Sequence, residues 1–256
     1  MQIRTINAVR YVSPLREGGS LPAIIEADDG FTYVLKFRGA GQGLKALIAD
    51  FIGGEIARAM GLRVPELVFV ELAEGFGRTE PDEEIQDLLK FSTGLNLGVH
   101  FLSGALTFDP EVHQMDEATA SMILWLDAYL MNIDRTVKNT NLLLWQKEVW
   151  LIDHGASLYP HHNWPGMAKA HTNTFPLIKS HVLLPGAKTQ LMQAEAKARE
   201  LLSENLIDEI VSALPEDWVA HSEPDVPVEE IYQGYKQFLK LRLEHSALFV
   251  KEAQNA

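Results

Sequence analysis

The sequence predicts an α+β chain of two lobes, a small strand-rich one over residues 1–105 and a larger helical one over residues 106–256. Three observations predict it. Strand-like runs separated by turn signals fill the first part, and helical apolar periodicity dominates the second. A polar loop rich in carboxylate and amide side chains, Asn132 to Asn139, directly follows a strongly periodic segment.

Ala8 to Val12 is a short apolar-rich strand, and Leu15 to Ser20 carries the Gly18-Gly19 turn signal. Pro22 to Ala27 and Phe31 to Phe37 form a hairpin about Asp28-Asp29-Gly30, the second strand being rich in the aromatic and β-branched residues that suit a half-buried pleat. The Gly-rich link Gly39-Ala40-Gly41-Gln42-Gly43 leads into a helix from Leu44 to Met60, where Leu47, Ile48, Phe51, Ile52 and Ile56 make one broad face and Gly61 is the C-cap. Leu67 to Leu72 and Leu97 to Leu102 are further strands, with Gly75 to Asp82 a polar loop. In the second part, Asp116 to Met131 is helical. Leu142–Trp145 and Val149–Ile152 are strands joined by Gln146-Lys147-Glu148, and helical patterns recur over Ala187–Ser203, Leu206–Leu214 and Val228–Val250.

Composition narrows the functional classes. A 46% hydrophobic share with 22% charged residues is ordinary for a globular chain. Cysteine is absent, which removes disulfides, thiolate catalysis and cysteine-ligated metal, and fits a reducing cytoplasm. Acidic residues outnumber basic ones 35 to 22, for a net charge of −13, so a broad nucleic-acid-binding surface is disfavoured. The sequence has no apolar run long enough to span a membrane and no signal-peptide core at its start.

The chemistry concentrates in two segments. Asn132-Ile-Asp-Arg-Thr-Val-Lys-Asn139 offers a carboxylate at Asp134 and an amide five positions on at Asn139 (139 − 134). Val149-Trp-Leu-Ile-Asp-His-Gly155 offers a second carboxylate, Asp153, nineteen positions after the first (153 − 134). Phosphoryl transfer from a nucleotide needs this set: a group that orients the attacking hydroxyl, and oxygen ligands that hold magnesium on the phosphates. Asp134 is therefore expected to be the catalytic base, with Asn139 and Asp153 as metal ligands; Asn141 competes with Asn139.

Lys36 sits within Tyr33-Val-Leu-Lys-Phe37, where a lysine can contact nucleotide phosphates. Its partner carboxylate is expected on the following helix, at Glu55, nineteen residues on (55 − 36), with Asp50 as rival. Two glycine clusters expose backbone N–H groups that could cradle phosphates: Gly18-Gly19-Ser20, before the lysine strand, and residues 39–43 after it. Neither ends in the Gly-Lys-Ser/Thr of a Walker loop. The histidines His154, His161, His162 and His171 have irregular spacing and no His-Glu-x-x-His pattern, so substrate contact or structural hydrogen bonding is expected of them, not zinc.

These residues resemble the HipA-like kinases. The likeness rests on Asn-Ile-Asp-Arg-x-x-x-Asn-x-Asn-Leu-Leu at 132–143, Leu-Ile-Asp-His-Gly at 151–155, Phe37 to Gly43 after the lysine strand, and Glu55 to Leu62. It covers nearly the whole chain and is nearer the short, stand-alone bacterial branch than the longer toxin kinases, whose extra N-terminal subdomain this chain is too short to hold. The resemblance implies a two-lobed fold related to protein kinases, ATP with Mg²⁺, and transfer to a serine or threonine hydroxyl of an unidentified protein. It puts Asp134 at the base position, Asn139 and Asp153 at the magnesium positions and Lys36 at the phosphate-contacting position. Position along the kinase plan places the adenine near the backbone of Val99-His100-Phe101-Leu102, naming His100 and Leu102 as nucleotide neighbours. The Asp-Phe-Gly of ordinary kinases reads Asp-His-Gly here. A small-molecule or lipid kinase, an AMP transferase and a catalytically silent nucleotide-binding module use the same motifs and remain alternatives.

Overall fold

The computed structural model describes residues 1–15, 21–41, 43–78 and 80–256. Thr5–Pro14 (β1), Ala23–Ala27 (β2), Thr32–Lys36 (β3), Leu67–Leu72 (β4) and Gly94–His100 (β5) form a closed barrel in the order β1-β2-β3-β5-β4. All neighbouring pairs are antiparallel except the closing one, where β1 lies parallel to β4 in the register Thr5↔Phe69, Ile6↔Val70, Asn7↔Glu71. Side chains alternate across each strand, so Ile6, Ala23, Ile25, Tyr33, Leu35, Val68 and Val70 point inward and make a separate small core. Glu83–Phe91 (α2), capped by Asp82, adds Ile85 and Leu89 to it.

Gly43–Ala59 (α1) lies between this barrel and the helical lobe, and every residue from Leu47 to Ala57 is buried. A helix covered on all sides needs apolar or small residues all round. Gly53 and Gly54 supply two such positions: a Cβ on Gly53 would sit 2.6 Å from His154 Cβ, and one on Gly54 would sit 2.7 Å from Leu67 Cδ1.

The helical lobe begins with Leu106–Thr107 (β6) and Glu117–Leu130 (α3), whose N-cap is Asp116 and whose C-cap, Met131, is left-handed. Leu142–Trp145 (β7) and Glu148–Leu151 (β8) pair as a hairpin through Gln146 and Lys147, both at positive φ, the conformation that a two-residue turn between twisted strands demands. Trp164–Ala170 (α4), Leu184–Ala187 (α5), Leu191–Leu201 (α6), Glu204–Ser212 (α7), Glu216–Ser222 (α8), Val228–Glu244 (α9) and Ser246–Asn255 (α10) complete it, with 3₁₀ turns at Tyr159–Asn163 and Pro176–Ser180. One continuous core joins α1, α3, β4, β5 and the later helices.

The structure departs from the sequence expectation at several elements. Strand β1 is ten residues long instead of five. Helices α2 and α8 were not expected. The periodic run over Val228–Val250 is two helices broken at His245, which places Phe249 against Trp125 and beneath the buried Arg242 guanidinium at 4.7 Å.

Candidate active site

Alternation on β3 turns Tyr33 and Leu35 into the barrel and leaves Val34 and Lys36 on the face toward α1. There Lys36 Nζ lies 2.5 Å from Asp50 Oδ2 and 2.8 Å from Asp153 Oδ1. The second oxygen of Asp50 accepts the backbone N–H of His154 at 2.6 Å. One helical carboxylate thus fixes both the lysine and the turn that presents Asp153. The cleft around them is lined by Phe37, Ala40, Gly43, Ala46, Leu47 and Gly155 as well.

Burial opposes the charge on Lys36, and the carboxylates of Asp153 and Asp50 outweigh it, so the ammonium is held more firmly than usual. The lysine in turn holds Asp153 down to about 2. Burial pushes Asp50 up, helped by the neighbouring Asp153. Asp153 has a left-handed backbone, φ 54°, rare for a residue other than Gly, Asn or Asp, and its side chain is 45% exposed.

The Asn132–Asn141 loop leaves the left-handed end of α3. Asp134 Oδ2 accepts from Asn139 Nδ2 at 2.6 Å and from Asn141 Nδ2 at 3.3 Å. The two chemical segments meet where Ile152 N–H donates to Asn141 O at 3.1 Å, continuing the β7–β8 pairing by one residue. Beneath the loop lies a buried polar network. Asp127, on α3, accepts from Arg135 Nε at 2.6 Å and Asn132 Nδ2 at 3.0 Å, and pairs with His181 Nε2 at 2.8 Å. Burial alone would raise the Asp127 pKa, but Arg135 and His181 hold it well below the carboxylate range. Arg135 also donates to the carbonyl oxygens of Thr140 and Asn141.

The structure therefore brings Lys36 and Asp153 together and sets Asn139 on Asp134. It corrects one expectation: Asp50, not Glu55, faces Lys36. Residues five apart on an α-helix lie roughly 140° apart around its axis. Glu55 is accordingly turned away and pairs with Arg58 at 3.3 Å. A carboxylate within the apolar face Leu47-Ile48-Asp50-Phe51-Ile52 was the available signal for Asp50. Gly18, Gly19 and Ser20 lie outside the described residues, whereas Ala40 and Gly43 of the second glycine cluster line the cleft.

Val99 pairs with Val34 and shares the cleft face, while His100 pairs with Tyr33 on the other face, its ring 5.6 Å from those of Phe31 and Tyr33. The His100 and Phe101 N–H groups donate to Glu66 O and Thr32 O, both at 2.9 Å, and Leu102 is buried. His154 is buried against α1, and burial, reinforced by Arg135, pulls it down to about 3. His161 pairs with the Tyr235 hydroxyl at 3.1 Å. Among the described residues no group of three His, Cys, Asp or Glu side chains is placed to hold a metal ion, and no helix is long and apolar enough to cross a membrane. The Asp127–Arg135–His181 network was not read from the sequence, because its members lie up to 54 residues apart.

A family model described as HipA-like kinase matches residues 8–248. The fold resembles the crystal structure of the Helicobacter pylori proinflammatory kinase CtkA, with a TM-score of 0.61 and 11% identity, covering 99% of this chain and 97% of that one. A weaker likeness, TM-score 0.46 and 12% identity, joins 98% of this chain to 73% of a Golgi casein kinase solved with Mn and ADP bound. No curated protein matches significantly.

Proposed function

The chain belongs to the HipA-like kinase family, and from that premise we propose that it is an ATP- and Mg²⁺-dependent phosphotransferase acting on a serine or threonine hydroxyl of a protein. The observation that carries the reading is the meeting of two segments across the Asn141–Ile152 hydrogen bond. It sets Asp134 and its two amides beside the turn whose Asp153 carboxylate contacts Lys36.

The nucleotide lies between a lobe of residues 1–105 and one of residues 106–256, its adenine near the 99–102 backbone and its phosphates near Lys36 and the 39–43 link. Asp153 uses Oδ1 for Lys36 and the Gly155 N–H, and Asn139 donates through Nδ2, so each keeps an oxygen to offer a hard cation. Asp153 and Asn139 would hold a magnesium ion there, and it would supply neutralisation of the phosphate charge.

Lys36, kept cationic by its two carboxylates, stabilises the charge on the transferring group. Asp134 accepts a hydrogen bond from the acceptor hydroxyl and aligns it. The hydroxyl oxygen bonds to the γ-phosphorus as the β–γ bridging P–O bond breaks, ADP departs, and the hydroxyl proton passes to Asp134 and then to solvent. The Asn139 and Asn141 amides keep the accepting oxygen in place.

The test is incubation with γ-labelled ATP and Mg²⁺ alongside Asp153→Ala, followed by intact mass. Gain of phosphate by the wild type alone supports the reading and supplies an acceptor site. Wild-type protein that neither binds nor turns over ATP overturns it. Label from α- but not γ-labelled ATP redirects it to AMP transfer.

A further inference from the structure

The 39–43 link joins the strand bearing Lys36 to the helix bearing Asp50, and a cation stands at each end of it, Arg38 and Lys45. Both reach across to the helical lobe. Arg38 NH1 lies 2.5 Å from Asp217 Oδ2, and Lys45 Nζ contacts Glu223 Oε1 and donates to His161 O at 2.8 Å. Asp217 is in α8 and Glu223 is its C-cap, so the two carboxylates mark the two ends of one short helix. Between them Trp218 is fully buried. It donates from Nε1 to Leu95 O at 2.8 Å and meets Phe69 edge-on at 5.4 Å, both in the barrel lobe.

Helix α8 is thus bolted to the barrel lobe through Trp218 in its first turn and tied at both ends to the flanks of the glycine-rich link. Arg38 and Lys45 are only 17% and 16% exposed, against 43% for Asp217 and 23% for Glu223, so the cation of each pair is withdrawn from the solvent that weakens freely solvated pairs. The Arg38 backbone N–H also donates to Asn96 Oδ1 at 2.9 Å, and Gly39 N–H to Ser92 Oγ at 3.2 Å, which fixes the first turn of the link. A glycine-rich segment loses much conformational freedom when its N–H groups close on phosphates. Holding both of its shoulders beforehand lowers that cost. Each cation already has a carboxylate, so the pairs serve to place the link.

We propose that Asp217 and Glu223 are positioning residues for the nucleotide phosphates, acting from the helical lobe through Arg38 and Lys45 on the two ends of the 39–43 link. This deepens the nucleotide reading above and rests on it. The experiment compares full-length wild type with Asp217→Asn, Glu223→Gln and the double variant, by calorimetric titration with ATP and with adenosine, steady-state turnover and thermal melting. Each single change is expected to weaken ATP binding about tenfold and to raise KM for ATP with kcat within about twofold. Adenosine binding and the melting temperature should hold, and Asp217→Glu and Glu223→Asp should keep most of the affinity. Unchanged or tighter ATP binding in the singles and the double overturns the inference while leaving the nucleotide reading intact. Equal loss of ATP and adenosine binding also overturns it, by pointing to general loosening of the fold. A wild type that binds neither overturns both.

Discussion

Lys36 Nζ and Asp50 Oδ2 lie 2.5 Å apart, and the other oxygen of the same carboxylate holds the His154 N–H at the turn of Asp153. Asp50 therefore serves the lysine and the turn that presents Asp153 together. Asp50→Asn keeps the shape and removes the charge, and kcat/KM for ATP is expected to fall about a hundredfold, near 2.7 kcal/mol of transition-state stabilisation. Glu55→Gln, which disturbs only the Arg58 pair, should stay within about twofold of wild type. Steady-state phosphate transfer separates the two, and the reverse ranking would mean that Glu55 holds the lysine in the working enzyme.

Asp134 touches two amides in this structure and lies on a loop anchored from below by Arg135. Under the proposed mechanism its replacement by Ala removes the group that aligns the acceptor and leaves the proposed nucleotide neighbours in place. Turnover should drop by about 10²–10⁴-fold, the usual range for a positioned base, while calorimetric ATP affinity changes by less than about threefold. Wild-type turnover in Asp134→Ala would remove the residue from the mechanism.

Legibility differed between elements for physical reasons. Helices α1 and α3 and the β7–β8 hairpin were readable because long periodicity or a short turn between apolar runs fixes them locally. Helices α2 and α8 span nine and seven residues and each buries only two, too little for a periodic signal. Barrel closure depends on β1 meeting β4 in register, Ile6 against Val70, a pairing that no local pattern encodes. Asp134, Asn139 and Asp153 were singled out as candidates because their spacing is short and chemically specific. Asp50 ranked second to Glu55 since spacing alone ignores which side of a helix faces the lysine strand.

Asn139 and Asn141 both donate to Asp134 Oδ2, but Asn139 is exposed whereas Asn141 is buried at φ 49°. Asn139→Ala is expected to raise the magnesium concentration needed for half-maximal turnover by about tenfold, a single lost ligand, with little change in melting temperature. Asn141→Ala should instead destabilise the protein by about 1 kcal/mol, because Ala tolerates the left-handed backbone poorly. A magnesium titration of turnover and a thermal melt of each variant decide the assignment; a shifted magnesium requirement for Asn141→Ala alone would transfer the ligand role to that residue.

Gly53 lets α1 approach the Asp-His-Gly turn. An added Cβ would lie 2.6 Å from His154 Cβ, an atom fixed to the backbone that cannot rotate away. Glycine to alanine in a helix is worth about 1 kcal/mol in favour of alanine when space allows. Here the clash should reverse the sign and cost about 1–3 kcal/mol. Gly186→Ala, on α5 with nothing within 4 Å of the new methyl, is the matched control and should be neutral or stabilising. Denaturant midpoints for the pair measure the difference, and a stabilised Gly53→Ala would show that the turn yields.

His161 is fully buried, its Nδ1 paired with the Tyr235 hydroxyl, with His162 beside it and Lys45, itself balanced by Glu223, bonded to its carbonyl. Burial first, then His162 and Lys45, push its pKa well below the ordinary histidine value. As pH falls, the unfolded chain protonates this imidazole before the folded one does. The stability from keeping it neutral is therefore complete above about pH 6.5, the unfolded value, and is lost as pH falls below it toward the folded value. The loss approaches about 1.4 kcal/mol per pH unit for this one group. His161→Asn keeps an acceptor or donor for Tyr235 and cannot titrate. It should be less stable than wild type near neutral pH, and the gap should narrow on acidification to about pH 5. Denaturant unfolding of both proteins across that range tests it; a gap that stays constant or widens would mean that His161 is protonated in the folded protein.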